Sequence, residues 1–199
     1  WTDIALYENI GSGNFKYKTL FNNVGKFHFL ELWDVDKDGH LDILMDGGNE
    51  KADLKISWGK SKGRFSKPEV LLKTPNSVAE AIEFIDIEND GNLDLILLSS
   101  LNTGINKERY NYDMYYGGFE IAVLKINKRE FLSKKVITRH IHPKGHHSWL
   151  ARISACDIKK DGNMDLVFEK IGEGNYFTDL TDQPFYDWSK TDKVVWFND

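Results

Sequence analysis

The sequence predicts an all-β fold, a β-propeller of four-stranded blades, and three observations lead to this prediction. Three acidic loops recur along the 199 residues, and a short apolar segment typical of a strand follows each one. The residues before each loop alternate between apolar and polar, which is the periodicity of a strand. The loops begin 52 and then 71 residues apart, and periods of this size with four strands per unit are typical of propeller blades.

Each acidic loop has Asp at positions 1, 5 and 9 and Gly at position 6, and position 3 is acidic in the first two. The glycine permits the sharp backbone turn that brings the acidic side chains together. Oxygen atoms arranged in this way can surround a hard cation. The three loops are residues 34–42, 86–94 and 157–165.

The loops are not EF-hands, although they share the early acidic positions of that motif. An EF-hand needs a bidentate Glu at position 12 and a helix on either side. Position 12 is Met45, Leu97 or Phe168, and both flanks have strand periodicity. The loops are therefore expected to lie in β-hairpins.

A second motif repeats along with the acidic loops. Residues 3–15 match residues 53–65 without a gap, residues 120–131 form a weaker copy, and residues 194–198 begin another. Each complete copy predicts a strand, a turn and a second strand. In the first unit we expect strand A at about 27–33, strand B at 41–45, strand C at 54–58 and strand D after Phe65.

The chain begins and ends at a strand C, so its repeats are out of phase with the blades. We expect a single domain over residues 1–199, a partial propeller of about three repeats at approximately 1–52, 53–118 and 119–199. A closed ring of three blades is disfavoured, because propellers have about four to eight blades. We therefore expect the remainder of the propeller in the same chain or in another one.

The composition excludes several other classes of protein. No run approaches the roughly 20 apolar residues of a membrane span, and no basic patch interspersed with aromatic residues indicates nucleic acid. The net charge of −5 is concentrated in the acidic loops. The single cysteine, Cys156, is expected to be a small buried hydrophobic residue, so disulfides play no part.

With these motifs in place, the chain resembles the integrin α-subunit type of β-propeller repeat, called FG-GAP or VCBS repeats. The resemblance rests on the acidic loops, with their DxDxDGxxD pattern, and on the strand ends at residues 6–9 and 196–198. It implies that each loop joins strands A and B and holds Ca²⁺. Two calcium sites are expected on this basis, and a third is doubtful.

The expected ligands of the first two sites are carboxylates and one backbone carbonyl, that of His40 or Asn92. Four carboxylates so close together repel one another unless a cation lies between them. The alternative is a metal-free turn rich in Asp and Asn. The predicted ligands are Asp34, Asp36, Asp38, His40 and Asp42 in the first loop, and Asp86, Glu88, Asp90, Asn92 and Asp94 in the second.

The third loop departs from the pattern, because Lys159 replaces the acid at position 3. The ammonium group of this lysine would occupy the cation's position and pair with Asp157, Asp161 and Asp165. If the loop holds a metal instead, the same three residues and Asn163 are the expected ligands.

Two long insertions between strands B and C, at about 99–118 and 172–193, are rich in aromatic residues. They are expected to be neighbours on the face opposite the acidic loops and to bind a protein or a glycan, because Tyr and Trp give large contact surfaces with a polar tip. Alternatively, these side chains only pack the insertions onto the blades. The predicted ligand-binding residues are Tyr110, Tyr112, Tyr115, Tyr116, Tyr176, Phe185, Tyr186 and Trp188.

A histidine cluster precedes strand A of the last repeat. Its members, His140, His142, His146 and His147, could hold Zn²⁺ or supply a general base. Alternatively they are ordinary exposed side chains.

The sequence favours a calcium-stabilised recognition or adhesion module over an enzyme. The alternatives are a carbohydrate-active enzyme of the lyase or dehydratase type, with metal at the histidine cluster, and a purely structural module of a larger secreted protein. Structural calcium sites fill where calcium is near millimolar, which favours an extracellular, cell-surface or periplasmic location.

Overall fold

The computed structural model of the chain consists of β-strands and their connections, and no helix occurs among the residues it describes. No helical segment that could span a membrane is found there. Side chains of residues 142–151 and 169–199 are outside the description. The described residues are 3–24, 27, 29–46, 53–75, 77–88, 90, 93–101, 117–141, 146–175 and 191–196.

Fifteen strands make up the described fold, and the prediction of an all-β chain is confirmed. They are β1 (Ile4–Gly11), β2 (Asn14–Phe21), β3 (Leu30–Trp33), β4 (Asp42–Asp46), β5 (Leu54–Ser57), β6 (Gly59–Lys60), β7 (Arg64–Phe65), β8 (Glu69–Leu72), β9 (Ser77–Ile85), β10 (Asp94–Leu101), β11 (Gly118–Asn127), β12 (Glu130–Ile141), β13 (His146–Cys156), β14 (Asp165–Asn175) and β15 (Thr191–Trp196).

The strands form antiparallel sheets in which sequential strands are neighbours, as in propeller blades. We call the sheet of β3, β4, β5 and β8 blade 1, the sheet of β9 to β12 blade 2, and the sheet of β13 to β15 blade 3. A two-stranded hairpin of β1 and β2 precedes them, and β6 pairs with β7 in the connection from β5 to β8.

The predicted strands of the first unit are found close to their expected positions. Strands A, B and C are β3, β4 and β5, while strand D is divided into β7 and β8. The hairpin of β1 and β2 has the sequence of strands C and D, and β15 is the third strand of its sheet. The sheets therefore begin at strand A, whereas the three proposed repeat units begin at strand C.

Successive sheets pack face to face through apolar side chains. Between blade 1 and blade 2, the buried side chains include those of Leu44, Leu54, Ile56, Leu97 and Leu124. Because successive side chains of a strand point to opposite faces, a B strand with several consecutive apolar residues can pack against both of its neighbours. The five residues of β4 are all buried, as are the eight of β10.

The other faces of these sheets are covered in the same way. Ile43 and Met45 of β4 pack with Ile4 of the first hairpin. Ile96 of β10 packs with Leu166 of blade 3. The acidic loops thus project from sheets that neighbouring sheets hold in place.

The expectation that Cys156 is buried is wrong, since its side chain is exposed. Ile153 is buried and Ser154 is exposed. The alternation of side chains along β13 therefore carries Cys156 to the face away from Ile153.

Candidate metal centre in the first acidic loop

The acidic loops connect the first and second strands of blades 1, 2 and 3, as the sequence predicts. Residues 34–41 join β3 to β4, residues 86–93 join β9 to β10, and residues 157–164 join β13 to β14. No helix flanks them, which agrees with the exclusion of an EF-hand.

Hydrogen bonds from backbone amides fold the first loop around Asp34. The Oδ1 atom of Asp34 accepts a bond from the amide of Asp38 at 3.0 Å, and its Oδ2 atom accepts one from Gly39 at 2.9 Å. Gly39 has a φ of 87°, which glycine adopts without the steric cost that a Cβ atom imposes. The amide of His40 donates to Asp38 Oδ1 at 2.9 Å, so successive amides point at the acidic side chains.

Asp42 closes the loop at the start of β4, and its side chain is fully buried. Its Oδ2 atom accepts a bond from the Val35 amide at 2.9 Å, and its Oδ1 atom accepts one from the Gly59 amide at 2.7 Å. A Cβ atom on Gly59 would lie 2.2 Å from the carbonyl oxygen of Leu41. Only glycine therefore lets the backbone of β6 approach the loop closely enough to donate this bond.

Burial raises the pKa of Asp42 above its ordinary value of 3.8, although the hydrogen bonds from Gly59 and Val35 act in the opposite direction. The charges of Asp36 and Asp38 raise it further. A carboxylate whose charged form is disfavoured by burial and by like charges gains most from a nearby cation.

Three carboxylates of this loop converge. Asp34, Asp36 and Asp42 each offer an oxygen atom, and these atoms lie within 4.8 Å of one another. Among the residues the structure describes, this is the one group of His, Cys, Asp and Glu side chains with such spacing. The set contains only oxygen donors, which fits a hard divalent cation. Asp38, predicted as a ligand, lies outside the group.

Arg129 also reaches this loop, which the sequence did not predict. It follows β11 in the turn before β12, and its Nε atom lies 2.6 Å from Asp36 Oδ2. Its Nη2 atom lies 3.3 Å from Asp38 Oδ2, and its Cζ atom lies 5.1 Å from the centre of the Trp58 ring. The hydrogen bond to Asp36 raises the pKa of Arg129. Arg129 thus joins the first loop to blade 2.

A lysine side chain from β11 reaches the second loop. The Nζ atom of Lys125 lies 2.8 Å from Glu88 Oε2 and 3.0 Å from Asp94 Oδ1. The hydrogen bonds to Glu88 and Asp94 raise the pKa of Lys125. The amide of Asp90 donates to Asp86 Oδ1 at 3.0 Å, as in the first loop. The predicted carbonyl ligand, Asn92, lies outside the described residues.

The third loop repeats the hydrogen bonds of the first. The amides of Asp161 and Gly162 donate to Asp157 at 3.1 and 2.9 Å, and the amide of Asn163 donates to Asp161 at 2.9 Å. The Lys159 Nζ atom lies 3.3 Å from Asp161 Oδ2, one of the expected pairings. The hydrogen bond from Asn163, followed by that from Lys159, lowers the pKa of Asp161.

The first and second loops open on a common cleft of about 620 Å³. Two of the residues that line it, Trp33 and Phe84 from the first strands of blades 1 and 2, have rings that stack 4.6 Å apart at an angle of 8°. The cleft carries charges of both signs, and its lining includes Trp33, Asp34, Asp36, Phe84, Asp90, Asp94, Lys125, Lys128 and Leu132.

Most residues of the predicted ligand face and histidine cluster lie outside the description. For His146 and His147 the structure describes only the backbone, which lies within β13. His140, at the end of β12, is exposed, and its ring stacks on Phe119 with 5.5 Å between ring centres. The residues outside the description are Tyr110, Tyr112, Tyr115, Tyr116, His142, Tyr176, Phe185, Tyr186 and Trp188.

A comparison with known families identifies an FG-GAP-like repeat at residues 34–97. The matched segment begins at the first residue of the first loop, includes the second loop and ends in β10. It therefore covers one complete period from loop to loop. No curated protein matches the chain.

Proposed function

We propose, on the premise that residues 34–97 match an FG-GAP-like repeat, that the chain is a calcium-stabilised β-propeller module that recognises a protein or a glycan. The observation that carries this proposal is the convergence of Asp34, Asp36 and Asp42 in the first loop. Their carboxylate oxygens form a hard donor set on a hairpin that two neighbouring sheets hold in place.

Calcium fits this loop better than a transition metal, because nitrogen and sulfur donors are absent from the group of three. Ca²⁺ accepts six to eight oxygen ligands in flexible geometry. Asp34, Asp36 and Asp42 would hold it, with Asp38 and the His40 carbonyl completing the set expected from the sequence. A bound ion would neutralise the charge of the clustered carboxylates. The loop, which joins β3 to β4 and accepts a hydrogen bond from β6, would then hold these three strands together.

Recognition is assigned to the face opposite the acidic loops, where the sequence predicts two aromatic insertions. Tyr and Trp side chains in neighbouring insertions suit protein or glycan binding. The remainder of the propeller, in this chain or another, is the second proposed partner. A calcium-dependent fold favours an extracellular, cell-surface or periplasmic location.

The calcium part of the proposal is tested by metal analysis and by thermal melting in calcium and after chelation. We expect bound calcium and a higher melting temperature in calcium for the wild type. Asp34→Asn should lose most of that increase, whereas Asp161→Asn, which removes the same charge from the third loop, should retain it. A wild type that binds no calcium would refute this part.

The recognition part is tested by binding to a glycan array and to candidate extracellular proteins. Any binding found should be lost in a double variant carrying Tyr115→Ala and Tyr116→Ala. Tyr7→Ala is the matched control, since Tyr7 is 64% exposed on β1 of the first hairpin. Equal loss in the control, or binding unaffected by the double variant, would contradict the assignment to the insertions.

A further inference from the structure

The last acids of the first and second loops face different residues of the neighbouring strand. Ile43 pairs with Ser57 and Leu95 pairs with Leu124. The next position therefore places Trp58 beside Asp42 in blade 1 and Lys125 beside Asp94 in blade 2. Blade 2 thus has a cation where blade 1 has an indole ring.

The ammonium group of Lys125 lies among the oxygens expected to bind a metal. It contacts Glu88 and Asp94, which occupy positions 3 and 9 of the second loop. In the first loop, positions 3 and 9 are Asp36 and Asp42, two of the three converging carboxylates. Lys125 therefore lies where the first loop would hold its ion.

We propose that Lys125 takes the place of the divalent cation in the second loop, so that the chain binds one calcium ion, in the first loop. This rests on the proposed function and differs from the sequence-based expectation of an ion in both loops. Ca²⁺ binds oxygen at about 2.3–2.6 Å. An ion on the same two oxygens would lie within about 5 Å of the ammonium group, where like charges repel strongly.

The position of Lys125 favours this intramolecular cation over a free ion. Lys125 belongs to β11, which lies between β10 and β12 within blade 2, so the lysine is always present at the loop. Asp94 is buried and needs a partner for its charge. The ammonium group of Lys125 supplies that partner, and no free ion has to be immobilised at an entropy cost.

Arg129, which contacts the first loop, differs from Lys125 in the pair of acids that it joins. Its two ion pairs are with Asp36 and Asp38, at positions 3 and 5, whereas Lys125 joins the acids at positions 3 and 9. Its guanidinium group is also held over Trp58. Asp36, although paired with Arg129, still belongs to the group that it forms with Asp34 and Asp42.

The experiment is calcium titration by calorimetry, with elemental analysis of the dialysed protein. We expect one ion for the wild type and two for Lys125→Gln, with a larger melting increase in calcium for the variant. Lys128→Gln removes the same charge from the same hairpin and should still bind one ion. Lys125→Met, which keeps the alkyl stem, repeats the test if the glutamine variant folds poorly, and adding Asp94→Asn should remove the gained site.

The outcomes separate this inference from the proposed function. Two ions in the wild type, or no gained ion in either Lys125 variant, would overturn the inference and leave the first loop as a calcium site. No ion in the wild type with one in Lys125→Gln would refute calcium binding by the first loop and support the role of Lys125. A gain of one ion in Lys128→Gln as well would overturn the inference, because the effect would then follow net charge.

Discussion

The first and third acidic loops have the same backbone and different charges. In both, the Asp at position 1 accepts bonds from the amides at positions 5 and 6, and the Asp at position 5 accepts one from position 7. The Asp at position 9 accepts one from position 2. Lys37 and Lys160, at position 4, both have a φ of 58°.

This comparison separates the shape of the loop from its capacity to hold a cation. The three shared Asp residues bind backbone amides, so the turn forms whether or not a fourth acid is present. Position 3, which is Asp36 in the first loop and Lys159 in the third, changes the charge inside the turn. The two loops thus share one turn, and on the proposed function the side chain at position 3 would determine whether the turn binds a metal ion or a lysine ammonium group.

The largest expected effect comes from removing the acid that closes each turn. Asp42→Ala leaves the amides of Val35 and Gly59 without an acceptor, and each buried unpaired group costs about 1–3 kcal/mol. Asp165→Ala affects the amides of Ile158 and Lys159 in the same way. We expect a loss of about 2–5 kcal/mol for Asp42→Ala and a similar or smaller loss for Asp165→Ala, measured by urea unfolding without metal. A negligible loss in both would show that these bonds do not maintain the turns.

The next effect follows from exchanging position 3 between the two loops. Asp36→Lys should weaken calcium binding at least about 100-fold, because an attractive charge becomes a repulsive one beside the ion. Lys159→Asp should give the third loop a calcium site of its own, measured as one additional ion by calorimetry. Lys160→Asp makes the same charge change at the neighbouring position and should add none. If it does add one, loop charge rather than position 3 determines binding.

In the metal-free protein, Asp42 of the first loop and Asp161 of the third should change the folding stability in opposite directions as the pH falls. The pKa of Asp42 is raised, so its protonation favours the folded state, and this residue stabilises the protein as the pH falls from neutral toward its ordinary value of 3.8. The pKa of Asp161 is lowered, so its contribution is present above 3.8 and is lost as the pH falls further. Relative to Asp42→Asn, the wild type should gain stability on acidification, and relative to Asp161→Asn it should lose stability at the lowest pH. Melting temperatures across the pH range would measure both trends, and parallel curves for wild type and variants would contradict them.

The smallest expected effect concerns position 4 of the two turns. A positive φ is costly for lysine and more easily adopted by Asn. Lys37→Asn and Lys160→Asn should each stabilise the metal-free protein by at most about 1 kcal/mol, and by similar amounts. Unequal changes in urea unfolding would indicate that the two backbones differ.

Much of the fold followed from local pattern. The alternation around residues 30–33 and the apolar segment after Asp42 predicted β3 and β4, because strands and turns depend on neighbouring residues. The match of residues 3–15 with 53–65 predicted that β1 is a strand C. The convergence of Asp34, Asp36 and Asp42 followed from their spacing around Gly39.

The contacts of Arg129 and Lys125 with the acidic loops could not be predicted from the residues near them in the sequence. Arg129 is 93 residues from Asp36, and their contact depends on how blade 2 packs against blade 1. For Lys125 a signal exists, because the weaker copy at residues 120–131 has a lysine close to the position that corresponds to Trp58. Recognising it requires the register of β10 and β11, which the long insertion between them conceals.

The burial of β4 on both faces has a consequence for how such a chain unfolds and evolves. Its Ile43 contacts the preceding hairpin, and its Leu44 contacts blade 2. Removing either neighbour would expose a full apolar surface, so the free energy of each blade is largely a nearest-neighbour quantity, as in linear repeat arrays. Unfolding of one sheet should therefore destabilise its neighbours, and a change in length is tolerated best when it adds or deletes a whole repeat.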